Sequence, residues 1–177
     1  MWTISKQFEF DYGHRVWSQT LNEEYSIDNR CVCRHLHGHR GFIEVHLSGS
    51  ELKQGMVTDF KHLNWLKKFV DEAIDHKFIL DRNDPLFSHF LPIDVNGSML
   101  IEKEFYAVAD LLNLKDHLLV EWYESFVIVD FVPTSEMLSQ WLFEIVSKKM
   151  NPLGVTVSKL IFKETPKTQS VYEIKNQ

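Results

Sequence analysis

The sequence predicts an α+β domain with its elements in the order β-β-α, an inserted stretch, then α-β-β. Three observations carry this expectation. Two runs near the start alternate apolar and polar residues. Two later runs repeat apolar residues at helical spacing. Residues 155–174 read as a final strand pair around Thr165-Pro166. We expect a single domain over residues 1–177, with an insertion at roughly 81–132 that is too short and too interrupted to stand alone.

Each element has its own signal. Trp2, Ile4, Phe8, Phe10 and Tyr12 share a parity broken only by Lys6, which predicts a strand with one buried face, and His14 continues that parity. Residues 16–34 are polar and irregular and read as a loop. In the second run His37, His39, Gly41, Ile43, Val45 and Leu47 fall on one face, and Arg40, Phe42, Glu44, His46 and Ser48 on the other. Asp59 opens a helix in which Leu63, Leu66, Phe69, Val70, Ala73 and Ile74 recur, ending near Asp75-His76. Asp84-Pro85, Leu91-Pro92 and Asn96-Gly97 predict mostly loop over 81–101, and a short helix is expected over 102–113. Glu124 to Phe131 is β-rich. Pro133-Thr134-Ser135-Glu136 starts the second long helix, with a hydroxyl cap and an acid in its first turn, and Asn151-Pro152 and Gly154 end it. Val155 to Glu164 and Gln169 to Ile174 predict the final strand pair.

Composition narrows the function. The hydrophobic fraction is 44%, too high for a disordered chain. A net charge of −6 argues against a nucleic-acid partner, which needs a basic field. No window is long and apolar enough for a membrane helix, and the first residues lack a signal-peptide stretch. With only Cys31 and Cys33, two apart, a reduced, cytoplasmic setting is expected.

The chemistry should lie among the nine histidines. His37 and His39, two apart on a strand, point to one face, and His14 ends another strand of matching parity. Three neutral imidazoles around Zn²⁺ leave a fourth position open, the pattern of a catalytic site, where a substrate oxygen is polarised. The bland alternative is ordinary strand histidines. Cys33, four residues before His37, is a candidate base, a fourth ligand or a small buried hydrophobe. His35 is a lower-ranked ligand candidate, and Cys31 is read as incidental. Asp75 beside His76 is either a proton relay or decoration of a helix end. Glu164 shares the parity of Leu160 and Phe162. A carboxylate on an apolar face either pairs with a partner such as the amidine edge of a pterin or guanine, or reaches water at the edge.

These pieces occur in a familiar order. Phe10-Asp-Tyr-Gly-His14-Arg15, Cys33-Arg-His-Leu-His37-Gly38-His39, Gly55-Met-Val-Thr-Asp-Phe60, Asp75-His76, Pro133-Thr-Ser-Glu136 and Lys163-Glu-Thr165 together resemble the 6-pyruvoyltetrahydropterin synthase superfamily, over about residues 4–174. The resemblance implies a tunnelling fold: an antiparallel four-stranded sheet with two long helices on one face. Three residues between Cys33 and His37 resemble the 6-carboxytetrahydropterin synthases of queuosine biosynthesis, whereas the animal pyruvoyl-forming enzymes carry a longer gap. A third branch has glutamate in place of the cysteine.

The resemblance further implies that His14, His37 and His39 bind zinc, that Cys33 is the base, and that Asp75 and His76 relay protons. Glu164 would anchor the pterin, helped by Thr134 and Glu136. The substrate would be 7,8-dihydroneopterin triphosphate, and the products 6-carboxy-5,6,7,8-tetrahydropterin, acetaldehyde and triphosphate, feeding tRNA or DNA base modification. Homo-oligomers, trimers or hexamers, would share sites between subunits. Rival readings are the pyruvoyl-forming sister activity, a non-catalytic pterin- or purine-binding module, and a zinc hydrolase. The sequence departs from the family at Tyr12-Gly13, where two small residues are usual, and at Arg40, where Asn or Ser is common.

Overall fold

A computed structural model describes residues 1–26, 31–91, 99–102, 105–108 and 115–174. Among the described residues there are eight strands: β1 (Trp2–His14), β2 (His37–Gly49), β3 (Lys77–Asp81), β4 (Met99–Glu102), β5 (Phe105–Val108), β6 (Phe126–Val129), β7 (Thr156–Thr165) and β8 (Thr168–Glu173). The described helices are α1 (Asn64–Ala73), α2 (Phe87–Phe90), α3 (His117–Glu124) and α4 (Ser135–Met150). The chain divides into two compact units, Met1–Asp11 with His39–Asp75 and Thr134–Gln177, and Tyr12–Gly38 with His76–Pro133.

In the first unit the strands run in the order β1-β2-β7-β8, with β7 antiparallel to both β2 and β8. The expected alternation holds from Phe8 onward, whereas Trp2 at the start of β1 is exposed. Phe8 and Phe10 of β1, Ile43, Val45 and Leu47 of β2, and Val157, Leu160 and Phe162 of β7 are all buried. Phe10 meets Phe162 edge-on, with ring centroids 6.1 Å apart. Helix α4 packs against β7 and β8, burying Leu138, Trp141, Leu142, Ile145 and Val146. Thr134 caps it by accepting the Met137 N–H at 3.2 Å. Asp59 does open a helical segment, but its carboxylate caps a 3-10 turn, Phe60–Leu63, ahead of α1. Leu66, Val70 and Ala73 form the buried stripe of α1, and Phe69 meets Trp141 edge-on.

The second unit overturns the four-stranded antiparallel expectation. β3 pairs in parallel with β1 at Tyr12–His14 and in parallel with β6, and β5 joins β6 antiparallel. The pairing is therefore mixed; β6 lies in the run expected to be β-rich, and β5 in the run expected to be helical. Lys77 to Asp81 carries no alternation because Ile79, Leu80 and Asp81 are all buried, as in parallel strands covered on both faces. The helix expected over 102–113 is corrected by β5 at Phe105–Val108. Phe105-Tyr-Ala-Val108 is a short apolar run whose period does not separate helix from strand, and pairing with β4 and β6 decides it. Within 81–101 the described exceptions to loop are α2 and β4; residues 92–98, 103–104 and 109–114 lie outside the described residues. Leu80, Phe87, Leu91, Tyr123 and Ile128 form this unit's own apolar cluster, with Phe78, Phe90 and Phe126 against it. Among the described residues no helix is long and apolar enough to cross a membrane.

Candidate metal centre

His14 is the last residue of β1, and His37 the first of β2. His14 is fully buried, while His37 and His39 are half-buried. The rings of His14 and His37 lie with centroids 4.5 Å apart, tilted by 49°. One ligand nitrogen from each of His14, His37 and His39 lies within 4.8 Å of the other two.

Two glycines permit this approach. A Cβ on Gly38 would stand 2.9 Å from the Tyr12 carbonyl oxygen, and one on Gly13 would stand 2.6 Å from Cδ2 of Phe78. Neither position accepts a side chain without moving a strand or a ring, so the residues interleaved with the histidines are small because the backbones are close. Gly13 thus keeps a small residue before the histidine, and Tyr12 is the departure. Tyr12 is buried and meets the His14 ring edge-on at 5.1 Å.

Hydrogen bonding sets the tautomers. His14 Nδ1 lies 2.7 Å from the Pro133 carbonyl, and His37 Nδ1 lies 2.8 Å from the His35 carbonyl. A carbonyl only accepts, so each Nδ1 carries the proton, and in the neutral ring Nε2 keeps the lone pair a metal needs. The donor set, three imidazoles with two oriented through their far nitrogens, fits a zinc ion. Around a tetrahedral ion with bonds of about 2.0–2.1 Å, nitrogens stand roughly 3.3 Å apart, a separation within the observed limit. Pro133 was read from the sequence only as a helix start; its carbonyl role leaves no trace in residue identity. His35, ranked as a possible ligand, is exposed and contributes its carbonyl instead.

The other expected residues fall at several places. Glu164 Oε1 lies 3.6 Å from His39 Nε2, where the apolar stripe of β2 and β7 gives way to polar groups. Cys33 is half-buried in a 3-10 turn, and its carbonyl accepts the Val16 N–H at 2.8 Å. Cys31 points its thiol to Gln19 Oε1 at 2.8 Å. Asp75 accepts the Asp11 N–H at 2.8 Å. His76 is exposed and left-handed, with φ of 59°, a conformation costly for a residue with a Cβ and enriched at functional positions. Glu136 is exposed, its carboxylate 3.3 Å from the Ser135 hydroxyl. Arg40 forks onto Asp11 with two 3.0 Å hydrogen bonds, which hold its guanidinium above its ordinary pKa.

A family model described as 6-pyruvoyl tetrahydropterin synthase matches residues 3–175. The chain belongs to the 6-pyruvoyl tetrahydropterin synthase family. A 6-carboxy-5,6,7,8-tetrahydropterin synthase from Aquifex aeolicus is 33% identical over 187 residues, covering 97% of this chain and 98% of the relative. The crystal structure of an uncharacterized protein from Wolinella succinogenes superposes with a TM-score of 0.93 at 47% identity, covering 98% of each chain. The 6-pyruvoyl tetrahydropterin synthase of Caenorhabditis elegans superposes with a TM-score of 0.55 at 19% identity, covering 98% of this chain and 95% of that one. That last likeness shows the fold alone.

Proposed function

We propose that the protein is a zinc-dependent 6-carboxy-5,6,7,8-tetrahydropterin synthase acting on 7,8-dihydroneopterin triphosphate. The observation that carries this reading is the trio of imidazole nitrogens within 4.8 Å, in a family member whose Aquifex relative bears that activity's name at 33% identity. The pyruvoyl-forming nematode enzyme is more distant, at 19%.

His14, His37 and His39 hold the ion, and when bound it supplies a Lewis acid that polarises a side-chain oxygen. Cys33 takes a proton from the substrate side chain, and Asp75 with His76 relays protons. Glu164 accepts hydrogen bonds from the amino-pyrimidine edge, a pairing that offsets its desolvation beside an apolar stripe. Thr134 and Glu136 flank that edge. One side-chain carbon stays on the pterin as a carboxyl group whose second oxygen comes from a water molecule, the other two carbons leave as acetaldehyde, and triphosphate is released. The product would enter 7-deazaguanine synthesis in the cytoplasm.

We further read the protein as a homo-oligomer, a trimer or hexamer with sites shared between subunits. β3 pairs with only Tyr12–His14 of β1, and β8 ends the strand order of its unit, which leaves strand edges suited to another copy. The exposed His76 would then be within reach of a neighbouring copy's site. Light scattering on the purified protein measures the assembly, and a monomer sinks that part.

The decisive experiment incubates the zinc-loaded protein with dihydroneopterin triphosphate and identifies products by mass. A carboxyl product with acetaldehyde supports the reading. A pyruvoyl product retaining all side-chain carbons moves it to the sister activity. Binding without triphosphate release leaves a non-catalytic pterin module.

A further inference from the structure

Three residues follow His14, and all three are tied down within the second unit. Arg15 Nε lies 3.2 Å from Asp84 Oδ2, with side chains 13% and 1% exposed. The Trp17 indole N–H donates to Asp81 Oδ2 at 2.9 Å. Between them the Val16 N–H donates to the Cys33 carbonyl at 2.8 Å. The turn carrying the candidate base is therefore referenced to the first histidine through a donor held on both sides by side-chain contacts.

The acids at the other end of those contacts are themselves rigid. Asp81 is buried at the end of β3, and Asp84 is buried in the turn that follows it. The second oxygen of Asp81 accepts from the Asn83 N–H at 2.9 Å, and that of Asp84 from the Leu86 N–H at 2.8 Å. A buried carboxylate is costly unless it is paired and hydrogen-bonded, and a turn by itself needs neither charge. β3 also pairs with Tyr12–His14, so one strand fixes both the histidine and the segment that follows it.

We propose that Asp81 and Asp84 are positioning residues that set where the Cys33 turn stands relative to His14, an inference that rests on the reading of Cys33 as the base. Misplacement of a reacting group by about 1 Å is enough to lose roughly 100-fold in rate. The effect should therefore appear in kcat and leave binding alone.

The test compares Asp84→Asn with Ile128→Val, a core change in the same unit, in full-length zinc-loaded protein. Below the unfolding temperature, Asp84→Asn should lower kcat by about 10- to 100-fold. KM and zinc stoichiometry should stay near wild type, and the iodoacetamide rate of Cys33, read by peptide mass in a Cys31→Ser background, should change several-fold. Ile128→Val should move none of these. If Asp84→Asn does not fold, Trp17→Phe, which removes one N–H, and Arg15→Lys, which keeps the charge, carry the same readouts. Unchanged kcat and unchanged Cys33 alkylation, with only a lower melting temperature, would overturn the proposal. If the wild type does not turn over dihydroneopterin triphosphate, the functional reading fails instead, and the alkylation arm still tests the clamp.

Discussion

Strand β2 carries histidines in two environments, and the contrast shows how one residue type acquires two chemistries. His37 and His39 stand at the start of the strand on its core-facing parity; His46 stands near the end on the opposite parity. The Nδ1 proton of His37 is taken by a backbone carbonyl, a neutral acceptor that leaves the ring a ligand. His46 Nε2 instead lies 3.1 Å from Glu44 Oε1, a carboxylate that itself accepts a hydrogen bond from Gln7 at 2.9 Å. The geometry suggests an ion pair. Yet burial, reinforced by Lys159, outweighs the carboxylate and pushes the His46 pKa below its ordinary 6.5. The ring is thus mostly neutral at pH 7 and the contact is not a salt bridge there. Strand parity selects the face each ring occupies, and at His46 burial outweighs the carboxylate beside it.

The largest expected effect breaks this comparison most directly. His37→Ala should lower zinc affinity by more than the roughly 10- to 100-fold typical of losing an outer-shell partner, whereas His46→Ala should leave it unchanged. Competition titration with a chelator measures both, and equal losses would show that position on β2 does not matter. Next in size, Cys33→Ala should retain zinc and lose about 10²–10⁴ in kcat, read by triphosphate release. Normal turnover would remove Cys33 from the chemistry.

Gly38→Ala comes third. Its methyl group meets the Tyr12 carbonyl oxygen, a backbone atom with little freedom, so about 1–3 kcal/mol of stability should be lost, together with zinc affinity. Denaturant unfolding and zinc titration on one preparation measure the two effects. An unchanged zinc affinity would uncouple strand spacing from the histidines.

The smallest effect concerns pH. The folded-state pKa of His46 is depressed, so the unfolded chain takes up the proton first on acidification. The stability from this group is present above about 6.5 and is lost as pH falls below it. Glu44, lowered chiefly by the Gln7 hydrogen bond, acts in the same direction below its ordinary 4.5. His46→Gln should flatten the fall in melting temperature between roughly pH 6.5 and 5. A curve that stays as steep would place the acid sensitivity elsewhere.

The sequence by itself determined the elements whose burial repeats with a period. Phe8, Phe10, Tyr12 and His14 share one buried parity, the apolar positions of β2 share another, and Thr134 caps α4 where the hydroxyl and acid predicted a start. The trio His14, His37 and His39 was legible for the same reason, because strand parity is written in residue order. Only the tertiary structure decided β3 and β5, since an apolar run of four or five residues suits more than one element until partner strands cover it. It alone decided that the Pro133 and His35 carbonyls hold two of the rings, and that Asp81 and Asp84 hold the residues after His14. Backbone oxygens carry no residue identity, and pairs separated by tens of residues meet only through the paths of other strands. Periodicity is local and can be read along the chain, whereas the choice of partner depends on how the whole chain packs.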